Sequence, residues 1–369
     1  MNAFKILPLM LLSMPSYAVT DGTPVDWQAH DYTVRLDTTS NTYGQARQGQ
    51  CAGTVIAGKY ILTAAHCLAE RGDVDTVTSV NGDRTPVPYS QFRLHPEYLP
   101  EGSDNWLPDA GIIPLDSVMT YQHIQFFADP NVALTKGQAV KVTGFGGTAS
   151  DSRPLQYADF TLQKTRWHGE DDGYWDSDKY WLIWLDLVNE SRTTDGDSGS
   201  AWSNEQNEII AIHKGSKYPG EDHQTYGTNI PYIADWLLEQ IDGWHYPTVA
   251  KVSGQTTLTV QSLHMTNIDD NGFYADGDVS IISNTCGSVE PYQKCELTIE
   301  SMGGEGRVIL GQGKDGSDEV IAINPQESIP MIPIDPPVSQ PSGHDKSGGS
   351  LGLFSLFGLG GALLRRKKR

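Results

Sequence analysis

Three short stretches of this 369-residue chain hold side chains that could activate a nucleophile. In Thr63-Ala64-Ala65-His66-Cys67 an imidazole directly precedes a cysteine. A bridge from Cys67 back to Cys51 would close a short loop and fix the His66 backbone. Asp109-Ala110-Gly111-Ile112-Ile113-Pro114-Leu115 is a single acid entering an apolar strand. A carboxylate there is shielded enough to hold an imidazole in one tautomer. Gly196-Asp197-Ser198-Gly199-Ser200 is a turn with glycine on both sides of a serine. Each stretch has an ordinary alternative: a surface or core histidine, a solvated strand end, an inert glycine-rich turn. A serine hydroxyl is a poor nucleophile at neutral pH, so chemistry at Ser198 would need a base such as His66.

Taken together, the order His, Asp, Ser and the residues around each resemble the chymotrypsin/trypsin family of serine proteases. The resemblance extends to His95-Pro96-Glu97-Tyr98, to Gly144-Phe145-Gly146 and to a closing helix through Trp236. It implies a catalytic triad of His66, Asp109 and Ser198, with the backbone N–H groups of Gly196 and Ser198 as the oxyanion hole. It also implies peptide-bond hydrolysis on protein or peptide substrates without a cofactor. Val19-Thr20-Asp21-Gly22 is similar to the mature start of trypsin-like enzymes, where a freed α-amine pairs with the Asp before the nucleophile. That acid is Asp197 here.

The specificity slot departs from trypsin. Trypsin has an acid six positions before the nucleophile, and this chain has Arg192. An arginine there should reject a cationic P1 side chain. Thr193 to Gly199 and Ile209 to His213 resemble the bacterial glutamyl endopeptidases, in which the positions of Thr193 and His213 line a pocket for Glu. The pattern breaks at Lys214, where an aromatic residue is usual, and at Asp197, where Asn is frequent. Arg192, Thr193 and His213 all suit a carboxylate, so an acidic P1 residue is the expectation.

The elements that must position these residues read as β. Between residue 25 and about 230, runs such as Tyr32–Leu36, Thr54–Ile56, Tyr60–Leu62, Val140–Val142 and Ile209–Ile212 are broken by Gly, Pro, Asn and Asp. The exception is Tyr232 to Ile241, where Ile233, Trp236, Leu237 and Ile241 form a helical stripe. The fold class is therefore all-β. The resemblance makes it two six-stranded β-barrels with a C-terminal helix over residues 19–247. Residues 248–324 predict a small β-sandwich-like domain from the runs Thr256–Val260, Val279–Ile282, Glu296–Ile299 and Arg307–Leu310. A Pro/Gly/Ser linker follows over 325–349.

Both ends read as addresses. Lys5, the apolar run Ile6–Met14 and Ser16-Tyr17-Ala18 form a signal peptide over residues 1–18, so a cut after Ala18 would expose Val19 through the export machinery itself. Near the C-terminus, Gly348-Gly349, the apolar run Leu351–Leu364 and five basic residues resemble the GlyGly-CTERM sorting tail of Gram-negative exported proteins. The run covers about 21 Å as a helix, short of a roughly 30 Å hydrocarbon core. The resemblance implies transient membrane contact, cleavage at the glycine pair by a rhomboid-type sorting protease, and a protein at the outer cell surface or secreted through the periplasm. The two ends hold six of the 26 basic residues and none of the 46 acidic ones, which leaves the mature part at a formal −26. Such a surface repels nucleic acid.

Four cysteines pair by proximity in sequence, Cys51 with Cys67 and Cys286 with Cys295. An exported chain keeps such bridges oxidised. No metal is expected: the cysteines lack metal-site spacing, and Asp269-Asp270-Asn271-Gly272 and Asp276-Gly277-Asp278 lack a full calcium-loop pattern. Two other functions are compatible with the residues. One is an inactive protease-fold binding module. The other is an adhesin whose Trp244, Tyr246, Phe273, Tyr274 and Tyr292 form a sugar platform.

Overall fold

The computed structural model describes residues 19–40, 47–69, 73–99, 107–146, 154–164, 181–217, 224–269 and 272–326. The expected signal peptide and sorting tail, and all but the first residues of the linker, lie outside them. Among the described residues no helix is long and apolar enough to cross a membrane.

The first part of the chain forms β1 (Thr23–Pro24), β2 (Thr33–Ser40), β3 (Arg47–Ile56), β4 (Tyr60–Thr63), the one-turn helix α1 (Ala65–Ala69), β5 (Asp73–Thr78), β6 (Arg84–Pro86), β7 (Arg93–Leu94) and β8 (Gly111–Pro114). All but β1 and α1 make one antiparallel sheet, in the order β6-β5-β2-β3-β4-β8-β7. Alternation in β2 sends Val34 and Leu36 into the core. In β4 every residue is buried, because the strand lies between β3 and β8 and is covered on both faces. This sheet is a half-barrel, and with the closed barrel and helix that follow it makes the expected two-barrel arrangement. Its edge strands β6 and β7 are only 3 and 2 residues long. Pro86 and Pro88 beside β6 have no N–H to offer a closing partner.

The second barrel does close. Its strands are β9 (Ala139–Gly144), β10 (Gln156–Lys164), β11 (Leu182–Leu187), β12 (Ala201–Ser203), β13 (Ile209–Lys217) and β14 (Gln224–Asn229). They run β10-β11-β14-β13-β12-β9, and β9 pairs again with β10, while β1 adds to the outside of β10. Helix α2 (Ile230–Ile241) follows, with Pro231 in its first turn, where a missing N–H costs nothing, and Asp242 in the left-handed region as its C-cap. Its buried stripe, Ile233, Trp236, Leu237 and Ile241, joins a core that the first sheet shares with Ala201, Ile209 and Ile212 of the second barrel. At about 2 kcal/mol for each fully buried large aliphatic side chain, this face ties the two halves together.

The remaining strands are β15 (Trp244–His245), β16 (Val249–Ala250), β17 (Gly254–Ser262), β18 (Tyr274–Gly277), β19 (Ser280–Asn284), β20 (Lys294–Ser301), β21 (Gly306–Gln312) and β22 (Asp318–Ile323). They form two four-stranded sheets, β15-β17-β20-β19 and β16-β22-β21-β18, around a separate core that includes Val260, Leu297, Ile299, Val308 and Ile321. Cys286 and Cys295 are bridged at its edge. The block is tied to the first sheet by His245, whose Nδ1 accepts from the Ala57 N–H at 3.0 Å and whose Nε2 faces the Gln125 carbonyl at 3.0 Å. It is tied to the stretch before the second barrel by Gln261, which bonds both backbone groups of Phe127. The sugar-platform reading fails on burial. Trp244, Tyr246 and Tyr292 are core residues, and the Tyr292 hydroxyl donates to the Ala234 carbonyl of α2. The acids of the turn at 276–278 have protein partners: Asp276 pairs with Arg307, and Asp278 accepts from the Gly304 N–H at 2.6 Å.

Candidate active site

His66 sits in the first turn after β4, buried, and Cys67 beside it is bridged to Cys51 on β3. Asp109 enters β8 from the other side and is 1% exposed. Its Oδ1 accepts the His66 backbone N–H at 2.9 Å, and its Oδ2 accepts from His66 Nδ1 at 2.6 Å. The two bonds fix the position of the residue and the tautomer of its ring, leaving Nε2 as the basic nitrogen. The Asp109 N–H donates to Thr228 Oγ1 at 2.9 Å, which anchors the acid to the second barrel. Burial alone would raise the Asp109 pKa. The facing His66 and then Lys214 outweigh it and hold the carboxyl below the ordinary carboxylate value.

Ser198 lies in the turn between β11 and β12, and its carbonyl accepts from the Ala52 N–H at 2.8 Å. The Cys67 sulfur is 3.9 Å from His66 Nε2 and 3.8 Å from the Ser198 carbonyl oxygen, so one disulfide packs against both residues. Gly199 has a φ of 84°, and a Cβ there would lie 2.1 Å from Thr63 Oγ1 and 2.3 Å from the Ala52 carbonyl. Only glycine lets the turn lie this close to the first sheet. Gly196 also takes a left-handed backbone, with φ at 98°.

Asp197 is fully buried. Its Oδ1 accepts from the Gly146 N–H at 2.8 Å and its Oδ2 from the Thr194 N–H at 2.9 Å. This explains Gly144-Phe145-Gly146: a Cβ on Gly144 would stand 2.3 Å from Asp197 Oδ1. Val19 is also fully buried, in the core of the second barrel. Thr20 and Arg192 exchange both backbone bonds, at 2.8 and 3.0 Å. The N-terminal segment therefore lies along the chain that leads to Asp197, and Arg192 is half-buried behind it.

Thr193 and His213, paired in the sequence reading, are held by different partners. The Thr193 hydroxyl bonds to Ser216 Oγ and lies 3.4 Å from Thr225 Oγ1, while Ser216 and Thr225 are 3.3 Å apart. The sequence reading missed Ser216 and Thr225. They meet because they are register partners on β13 and β14, which spacing from Ser198 does not reveal. His213 is 1% exposed, and its Nδ1 accepts from Trp202 Nε1 at 3.4 Å. Burial, and then the charge of His66, push its pKa down to about 3, so it is a neutral ring with its proton on Nε2. Its backbone brackets the serine turn, accepting from the Gly199 N–H and donating to the Ser200 carbonyl. A groove of about 880 Å³ lined by Asp129, Glu205, Glu208 and Glu290 contains none of these residues.

The sequence model of the family described as Trypsin matches residues 19–237. Serine protease VLSP-1 of Macrovipera lebetinus is 31% identical over 108 residues, which is 27% of this chain and 40% of that protein. The chain thus spans less than half the length of that relative. Among solved structures, the secreted serine protease VesC from Vibrio cholerae aligns over 82% of this chain and 70% of its own, at 17% identity and a TM-score of 0.44. The VesB protease of the same organism aligns over 82% and 99%, at 19% identity and a TM-score of 0.44.

Proposed function

The chain belongs to the trypsin family of serine proteases, and from that premise we propose that it is an exported endopeptidase working through an acyl-enzyme on Ser198. The observation that carries the reading is the two-point hold of Asp109 on His66, at 2.9 and 2.6 Å, beside a disulfide packed against both His66 and Ser198. His66 Nε2 takes the Ser198 proton as the oxygen attacks the scissile carbonyl, and returns it to the leaving amine. Asp109 keeps the ring in the productive tautomer and offsets the imidazolium charge. The N–H groups of Gly196 and Ser198 receive the oxyanion, and losing one such donor costs about 3 kcal/mol of transition-state stabilisation. A fluorophosphonate probe should label the parent and not Ser198→Ala. An unlabelled parent would instead favour a catalytically inactive member of the family.

The preference proposed for S1 is an acidic P1 residue. Three hydroxyls, Thr193, Ser216 and Thr225, cluster within 3.4 Å of one another, and His213 offers a neutral Nε2–H. Neutral donors of this kind bind a carboxylate and give a cationic side chain no counter-ion. Arg192 adds a positive charge in the slot where trypsin has an acid. A panel of peptides that differ only at P1 tests this, and fast cleavage after Lys or Arg ends it.

Activation is proposed to follow from export itself. Removal of residues 1–18 would free the Val19 amine, and the buried Val19 segment runs beside the chain leading to the buried Asp197. One glycine added before Val19 should sharply reduce the rate, and an unchanged rate would refute the scheme. A cell-surface or secreted destination is supported by the two disulfides and by the sequence of both ends. The same tail pattern supports a rhomboid-type sorting protease as a partner at Gly348-Gly349.

A further inference from the structure

Strand β13 contains an irregularity next to the site. His213 lies opposite Gly227 and Gly215 opposite Tyr226, so Lys214 is the extra residue of a β-bulge. A bulge re-aims the side chain of its extra residue. Here the Lys214 ammonium donates to the Leu107 carbonyl at 3.1 Å and stands 3.8 Å from Asp109 Oδ2, with its side chain only 9% exposed. That oxygen is the one that accepts from His66 Nδ1. Asp109 Oδ2 thus sits between an imidazole and a fixed cation. Leu107, two residues before Asp109, ties the same lysine to the segment that carries the acid.

We propose that Lys214 is a positioning residue that acts through Asp109, holding its segment and offsetting its charge, and so sets the lower pH limit of catalysis. This rests on the triad reading above. In the resting site the Asp109 and Lys214 charges cancel. When His66 takes a proton, the three-group unit becomes cationic, whereas without Lys214 it would be neutral. The lysine therefore opposes protonation of His66 in the free enzyme, and the base stays available at lower pH.

Among the described residues, two titratable groups near the unit are moved away from the range of its acid limb. His213 on β13 is already driven down to about 3. Tyr226 on β14 is pushed above its ordinary value by burial and then by Asp109. On the turn before β8, His95 Nδ1 accepts from the Glu97 N–H at 3.3 Å, and burial lowers its pKa. A shift in the acid limb on changing Lys214 reports the His66–Asp109 pair, because the ammonium stands 3.8 Å from Asp109 Oδ2.

The test is the pH profile of kcat/KM on one chromogenic peptide, measured with the mature full-length enzyme. Lys214→Met and Lys214→Gln should move the acid limb up by about one pH unit, while KM stays within about twofold. Lys214→Arg, which restores the cation, should bring the limb back towards the parent. An unmoved limb in the Met and Gln variants would overturn the proposal. If Met moves the limb and Gln, which keeps a donor for the Leu107 carbonyl, does not, the charge role is refuted. Fluorophosphonate labelling that persists in Ser198→Ala would instead refute the triad reading, whatever the lysine does.

Discussion

Three buried groups that hydrolysis does not consume make stability depend on pH in a way that can be worked out group by group. His213 and His245 are fully buried, and burial pushes their pKa values from 6.5 down to about 3 and about 4. Glu319, buried beneath Gly243, accepts the Trp244 N–H with both oxygens, yet burial lifts it from 4.5 to about 8. Between pH 4.5 and 6.5 the unfolded chain binds protons on the two histidines that the folded chain refuses, so each histidine makes stability rise with pH. Over the same interval folded Glu319 keeps a proton that the unfolded chain has lost, which makes stability fall with pH. The net is about one proton, or roughly 1 kcal/mol of rising stability per pH unit. His95 and His264, also lowered by burial, add to the rise. From pH 6.5 to about 8 Glu319 alone of these groups still differs, and stability should fall by roughly 1 kcal/mol per unit. The maximum therefore lies near pH 6.5. Urea denaturation of Ser198→Ala, chosen to avoid self-digestion, measures it across pH 4 to 9. Glu319→Gln keeps an acceptor for the Trp244 N–H, so it should abolish the decline above pH 6.5 and steepen the rise below it. His245→Gln should flatten that rise. A maximum above pH 8, or a Glu319→Gln curve that still declines, would refute the reasoning.

Four further outcomes follow from the geometry. Gly199→Ala should abolish labelling of Ser198 by the fluorophosphonate probe, because its Cβ would meet Thr63 Oγ1 at 2.1 Å from a backbone with φ at 84°. Thr225→Val should lower kcat/KM for an acidic P1 peptide by about tenfold, the value of one lost hydrogen bond of roughly 1.4 kcal/mol, and leave an apolar P1 peptide nearly unaffected. Reduction of Cys51–Cys67, separated by 16 residues, should cost about 3 kcal/mol in denaturation. It should lower activity more than reduction of Cys286–Cys295 does, since only the first bridge touches His66 and the Ser198 residue.

How far the site could be read from sequence depended on whether the constraint behind each residue was local. Ser198 stands out because its turn needs Gly196 and Gly199 at positive φ, and His66 because a cysteine adjoins it. Helix α2 was legible from its stripe, and its true start at Ile230 lies two residues earlier than the stripe suggested because Pro231 is tolerated in a first turn. The surroundings of the proposed pocket and triad were not legible, since they are consequences of pairing. Ser216 meets Thr225, and Thr228 receives the Asp109 N–H, only once β13 and β14 are in register. The position of Lys214 needs one step more, because a regular β13 would have put that side chain elsewhere. Aromatic content misled for the same reason: Trp244 and Tyr292 look alike as platform and as core until neighbouring strands are placed. A departure from a family pattern, such as Lys214, is thus best read in the register that holds it, and there it points to Asp109 rather than to the substrate pocket.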